Sequence, residues 1–176
     1  DVVDQIYDTG KPTHGSQVAA ALAAAVRDHR LSRRWLDRVI AARERDLEGE
    51  QPATVRDLNR YCDDTAVSMM LLGLECCGVR HATADVAASH AGQAVGMTTL
   101  LRGTAYHASR ERLYIPQEVL ARHGAGARSI MSSPEEQREA GQGAAADDPA
   151  RRAAAKAAVR EMAEIAEHHL TVAADM

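Results

Sequence analysis

The sequence predicts an all-α domain, on three observations. Its apolar mass is Ala, Leu, Val and Met, with an aromatic share of 3% and no Phe; small and straight-chain residues favour helix over sheet. Apolar residues recur at three- and four-residue spacing between capping residues and Gly or Pro stops. No stretch alternates apolar and polar as a half-buried strand would, and there is no internal repeat.

Asp1 to Asp8 reads as the end of a helix, stopped by Gly10, Pro12 and Gly15. Ser16 is placed to cap Gln17 to His29, whose stripe is Val18, Leu22 and Val26. Ser32 is placed to cap Arg33 to Leu47, with Leu36, Val39, Ile40 and Leu47 on its apolar side and Trp35 beside them. Gly49 and Pro52 end that helix. Thr54 opens one long helix to Cys77, carrying Val55, Leu58, Cys62, Thr65 or Ala66, Met69, Leu72 and Cys76, and Gly78 stops it. The helix from about Thr83 to Arg102 is rich in small residues, Ala84 to Gly96, so neighbours can approach closely and it is expected at the centre. Pro116 opens a short helix, Gln117 to His123. Residues 124–149, rich in Gly, Ala, Ser and acids, are expected to be a mobile loop or insertion. Ala150 to Val172 returns to helix, with Ala155, Val159, Met162, Ile165 and His169 on one face.

A chain of 176 residues fits one domain or most of one, 1–176, with one sizeable core. A net charge of -4 argues against a general nucleic-acid binder. Ala66 to Cys77 is the most apolar run, too short to span a bilayer and interrupted by Glu75. Starting at Asp1 without a Met, the chain is expected to be processed or partly observed. Cys62, Cys76 and Cys77 lack paired spacing, so a reducing interior or plain buried thiols are expected. His168 and His169 are neighbours with no Glu-x-x-His around them, which speaks against zinc. No Ser-His-Asp, Cys-His or Gly-rich phosphate loop offers a catalytic centre.

Several acids invite a metal reading and are assigned elsewhere. Asp4 and Asp8 share a helix face but sit in a helix that is already ending. Asp63 and Asp64 are adjacent and point about 100° apart, which suits capping or pairing with Arg60 better than shared ligation. Asp46, three residues after Arg43 and beside two arginines, reads as a salt-bridged surface acid.

Six motifs run in order along the chain. They are Asp4-Gln5-Ile6-Tyr7 with Lys11-Pro12-Thr13-His14; Leu31-Ser32-Arg33-Arg34-Trp35-Leu36 through Ala42-Arg43-Glu44-Arg45-Asp46-Leu47; Tyr61-Cys62; Ser68-Met69-Met70-Leu71-Leu72-Gly73-Leu74-Glu75; Ala87-Ala88-Ser89-His90-Ala91-Gly92-Gln93-Ala94-Val95-Gly96; and Leu100-Leu101-Arg102 through Arg112, Tyr114 and Pro116. In order and spacing they resemble the squalene/phytoene synthase superfamily, and within it the branch of mitochondrial complex I assembly factors. The resemblance implies an isoprenoid-synthase-like helical bundle, seen here without its first and last helices.

In the synthases the last motif is a metal box, Asn-Ile-Leu-Arg-Asp-x-x-Glu-Asp followed by Arg-x-Tyr-Leu-Pro, whose carboxylates hold magnesium against a prenyl diphosphate. Here Thr99 stands for the Asn, Gly103 for the first Asp, Tyr106 for the Glu and His107 for the second Asp. Mg²⁺ requires hard oxygen ligands, so no cofactor or metal is expected. The resemblance implies a vestigial pocket of Tyr61, Thr99, Arg102, Gly103, Tyr106, His107, Arg112 and Tyr114, with Arg102, Arg112 and Tyr114 either contacting phosphate or stitching the helix end to the loop, and Tyr106 and His107 partly filling the hollow.

Arg33, Arg34 and Arg38, with Trp35 among them, lie in a basic stretch interrupted by Asp37 and Asp46. Two readings stand: a solvated, charge-paired helix surface, or a docking face for an acidic partner or anionic lipid headgroups. The resemblance implies a non-catalytic protein of the mitochondrial inner-membrane matrix face, binding respiratory complex I subunits or assembly intermediates, or retained as an accessory subunit. Peripheral membrane association and an anionic or isoprenoid lipid belong to the same expectation. The alternatives are a Mg-dependent squalene/phytoene synthase-type prenyl transferase and a soluble isoprenoid-lipid carrier.

Overall fold

The computed structural model describes residues 2–10, 16–131 and 149–176. Its elements are α1 (Val2–Thr9), α2 (Gln17–His29), α3 (Arg33–Asp46), α4 (Val55–Cys62), a π-helical turn (Asp63–Val67), α5 (Ser68–Cys76), α6 (Ala82–Arg102), α7 (Thr104–Ala108), α8 (Gln117–Arg122), α9 (Arg128–Met131) and α10 (Pro149–Ala174). All are helical. The Lys11-Pro12-Thr13-His14 text, Gly15 and residues 132–148 of the expected loop lie outside the described residues. The described part of that loop ends in α9.

Local chemistry explains the boundaries. Thr54 and Asp57 form a reciprocal capping box at the start of α4, and the Ser16 hydroxyl accepts from the Ala19 amide at α2. Gly10 and Gly78 adopt the left-handed backbone that closes a helix, at φ +71° and +73°. Ser32 differs from expectation, because its own hydroxyl caps nothing. Instead the buried Glu75 carboxylate, from α5, accepts from the Ser32 amide at 2.7 Å and from its hydroxyl at 2.5 Å. Arg80 completes this staple, donating to the Arg30 carbonyl at 2.8 Å, where Arg30 itself turns left-handed at φ 53°.

α6 sits centrally, against α4, the π turn, α5, α7 and α10. Close approach is built into it: a Cβ on Gly92 would lie 2.7 Å from the Val67 Cα, and one on Gly96 would lie 3.0 Å from the Cys62 Sγ. The main core joins Leu58, Cys62 and Met97 to Ile115, Val119 and Met162. Burying each large apolar side chain there contributes about 1.5–3 kcal/mol.

Four predicted faces are corrected. On α2 the buried pair is Ala19 and Ala23, while Val18 is 79% exposed, because α2 presents its small side to α1 and α5. On α3, Ala42 is fully buried and Leu47 lies outside the helix, exposed. On α10, Ala158 takes the place expected of Val159. The long helix is interrupted by the π turn, whose wider winding offsets the faces on either side. Consequently α5 buries Ser68, Leu71, Leu72 and Glu75, and leaves Met69 and Cys76 outside. No described helix is long and apolar enough to cross a membrane.

Candidate functional site

A cavity of about 280 Å³ opens beside α6, walled mainly by apolar atoms of Val39, Ala66, Met69, Val95 and Leu100. Its polar end is made by Arg43 from α3, Tyr61 from α4, His107 from α7 and Tyr114 from the loop before α8. Tyr61 and Tyr114 also wall a second, polar cleft of about 360 Å³ on their other side. The two rings lie 5.5 Å apart between centroids and form the partition.

Asp46 holds that partition. Its Oδ2 accepts from the Tyr61 hydroxyl at 2.7 Å and its Oδ1 from the Tyr114 hydroxyl at 2.8 Å. Arg43 Nη1 donates to the same Oδ2 at 3.0 Å and to the Tyr61 oxygen at 2.5 Å. Asp46 therefore keeps the expected ion pair with Arg43 and is also a hub behind the tyrosine partition, lining the second cleft. Burial first, and the neighbouring carboxylate second, push both tyrosine hydroxyls above their ordinary pKa, so both stay donors across the physiological range. Burial likewise raises the Cys62 thiol to about 12, which leaves it unreactive beneath Gly96.

Four of the expected pocket residues, Tyr61, Thr99, His107 and Tyr114, meet at this cavity. Gly103 lies beneath His107, since a Cβ there would sit 2.7 Å from Nε2. The His107 ring in turn packs edge-on against Tyr114 at 4.8 Å. Arg112 does not line the cavity but lies close enough to act on the Tyr114 hydroxyl. Two residues fall elsewhere. Arg102 faces a groove between α6 and α10, and Tyr106 is 58% exposed with the Arg110 guanidinium over its ring at 4.6 Å. The reason is helical: α6 stops at Gly103 and α7 restarts, and consecutive residues on a helix point about 100° apart, so His107 faces inward and Tyr106 outward.

On the expected docking face, Arg33 is bound to Asp4 and to Asp37. Arg34 and Arg38 place their guanidinium carbons 4.1 and 5.3 Å from the Trp35 ring. Arg38 also lies 3.9 Å from Asp64, which pairs with Arg45 at 2.6 Å. Asp63 accepts from Gln93 and Asp57 caps its helix, so these acids have structural partners.

The squalene/phytoene synthase family profile matches residues 1–176. The chain belongs to the squalene/phytoene synthase family. Within it, the chain is 40% identical over 122 residues to "NADH dehydrogenase (ubiquinone) complex I, assembly factor 6" of Bos taurus, covering 69% of this chain and 36% of that protein. The Homo sapiens protein of the same name is 38% identical over the same shares. The Dictyostelium discoideum homolog is 32% identical over 131 residues, 74% of this chain and 36% of that one. The chain thus spans about a third of the length of these relatives. Squalene synthase HpnC from Alicyclobacillus acidocaldarius shares the fold, with a TM-score of 0.67 at 17% identity over 98% of this chain and 68% of that one. The all-α isoprenoid-synthase-like bundle is therefore established.

The family's magnesium can be tested against the side chains present. Gly103, Tyr106 and His107 supply no carboxylate, and Asp46 is engaged by two hydroxyls and a guanidinium. Among the described residues no three His, Cys, Asp or Glu are placed to hold a metal ion. These donors do not fit the ion.

Sequence reasoning missed the Asp46 hub and the Glu75–Ser32 staple. The i,i+3 pair Arg43 and Asp46 was the available signal for the first. The second joins residues 43 apart, and no local pattern announces it.

Proposed function

We propose that this chain is a non-catalytic member of the squalene/phytoene synthase family that works by binding in the assembly of complex I, or persists there as an accessory subunit. Its place would be the matrix face of the mitochondrial inner membrane, held peripherally. The reading is carried by one observation: the polar end of the cavity is closed by tyrosine hydroxyls on Asp46 and by His107, where a synthase would hold metal-binding carboxylates. The names of the assembly-factor relatives support the same direction.

Docking would use the Trp35 face, where Arg34 and Arg38 flank the indole and can meet carboxylates or lipid headgroups. The cavity beside α6 would accept the apolar part of an anionic or isoprenoid lipid, with Arg43 at its polar end. Affinity capture from mitochondria tests the reading. Complex I subunits or assembly intermediates should co-purify with the chain and be lost with the Arg34→Glu/Arg38→Glu variant. Capture without any respiratory-chain subunit would contradict it. A prenyl transferase remains the alternative on the strength of the fold shared with a squalene synthase.

A further inference from the structure

α6 and α10 form the most extensive helix pair of the fold, and a histidine pair lies within it. His90 of α6 and His169 of α10 bring their Nδ1 atoms to 3.0 Å, with ring centroids 5.3 Å apart. Both side chains are half-buried. Apart from Gln93, residues one turn away on their own helices are apolar or small: Val86, Ala87 and Ala94 around His90, and Ile165, Ala166 and Val172 around His169.

The contact constrains protonation. A 3.0 Å approach of two Nδ1 atoms requires one to carry hydrogen and the other to accept it. Two neutral rings satisfy this with opposite tautomers, and one added proton still does. A second proton makes both Nδ1 atoms donors and places two cations in contact, so the pair must separate. Among the described residues, Asp63 and His168 are the charged groups besides His90 that act on His169. Asp63 on the π turn acts favourably on His169 but already accepts from Gln93, and His168, exposed on α10, adds to the repulsion. No third group is placed to make the pair a metal site among the described residues.

We propose that the His90–His169 contact is a proton-sensitive clasp that holds the C-terminal half of α10 on α6 and loosens it on acidification. Burial first, then the His90 and His168 charges, lower the pKa of His169. A base whose folded pKa lies below its unfolded value of about 6.5 contributes stability at higher pH, and loses it as pH falls from there through the folded pKa. Loosening would uncover the α6 surface under Ala166, including Ala94 and Leu101.

Hydrogen exchange of residues 158–174 in the full chain at pH 7 and pH 5, corrected for intrinsic rates, tests this. The opening constant should rise several-fold at pH 5 in the wild type, while that of α4 stays unchanged. Glutamine keeps a hydrogen-bonding amide and does not titrate, so His90→Gln and His169→Gln should each flatten the dependence, and His168→Gln should leave most of it. An equal rise in both clasp variants, or no rise in the wild type, overturns the proposal. If either variant opens α10 at pH 7, the other and the wild-type pH series still decide it.

Discussion

The two sides of α6 have been treated differently. Where Gly92 meets the Val67 backbone and Gly96 the Cys62 thiol it is close-packed, and Met97 shares with Met162 a core that leaves neither exposed. Toward α3 and α7 it leaves a hollow of about 280 Å³ that ends in a network of satisfied hydroxyls. A packed face tolerates little change in volume, whereas a hollow tolerates a change of side chains. The first side keeps the fold, and the second is free to change its chemistry.

The largest contrast should come from Met162→Ala. Removing this fully buried side chain should cost about 2–5 kcal/mol, read as a fall in denaturant midpoint, while Met69→Ala at the exposed cavity mouth should change little. Gly92→Ala comes next. Its Cβ would meet the Val67 backbone, which cannot swing aside, so overpacking of about 1–3 kcal/mol is expected.

Asp46→Ala tests the partition. It leaves two half-buried hydroxyls without their acceptor, at about 1–3 kcal/mol. The same variant should lower the ionisation range of Tyr61 and Tyr114 in a phenolate absorbance titration, though not to the ordinary value, because burial is the larger cause. The stability consequence has a definite sign. Tyrosines with raised folded pKa values stabilise the fold below the unfolded value of about 10, and that contribution is lost as pH rises through the folded pKa. Asp46→Ala should therefore blunt the alkaline loss of stability.

The smallest effect separates ring from hollow. Gly103→Asp alone would press against the His107 ring, whereas Gly103→Asp with His107→Asp removes that obstacle and should unfold closer to the wild type. A double variant less stable than the single one would place both residues in packed core.

Most of the fold was legible because capping and stop signals are local: Thr54, Ser16, Gly10 and Gly78 lie where the helices begin and end. Inward faces were less legible. Apolar spacing favours Val18 and Met69, yet close packing selected Ala19 and Ser68, since the distance between helix axes ranks above side-chain hydrophobicity where helices touch closely. Of the expected pocket residues, Tyr61, Thr99, His107 and Tyr114 line one cavity although they come from two separate motifs. Tyr106 lies outside because it neighbours the inward His107 about 100° around the helix, and Arg102, at the end of α6, faces the groove against α10. Long-range partners such as Glu75 for Ser32 and His90 for His169 carry no local signature at all.

The most direct measurement is incubation of the purified chain with farnesyl diphosphate and Mg²⁺, with product extraction and with melting in the presence and absence of the metal. No condensed hydrocarbon and no Mg²⁺-dependent rise in Tm in the presence of the diphosphate are expected. A squalene-like product, or a metal-dependent stabilisation by the diphosphate, would contradict the loss of the metal site on which the account rests.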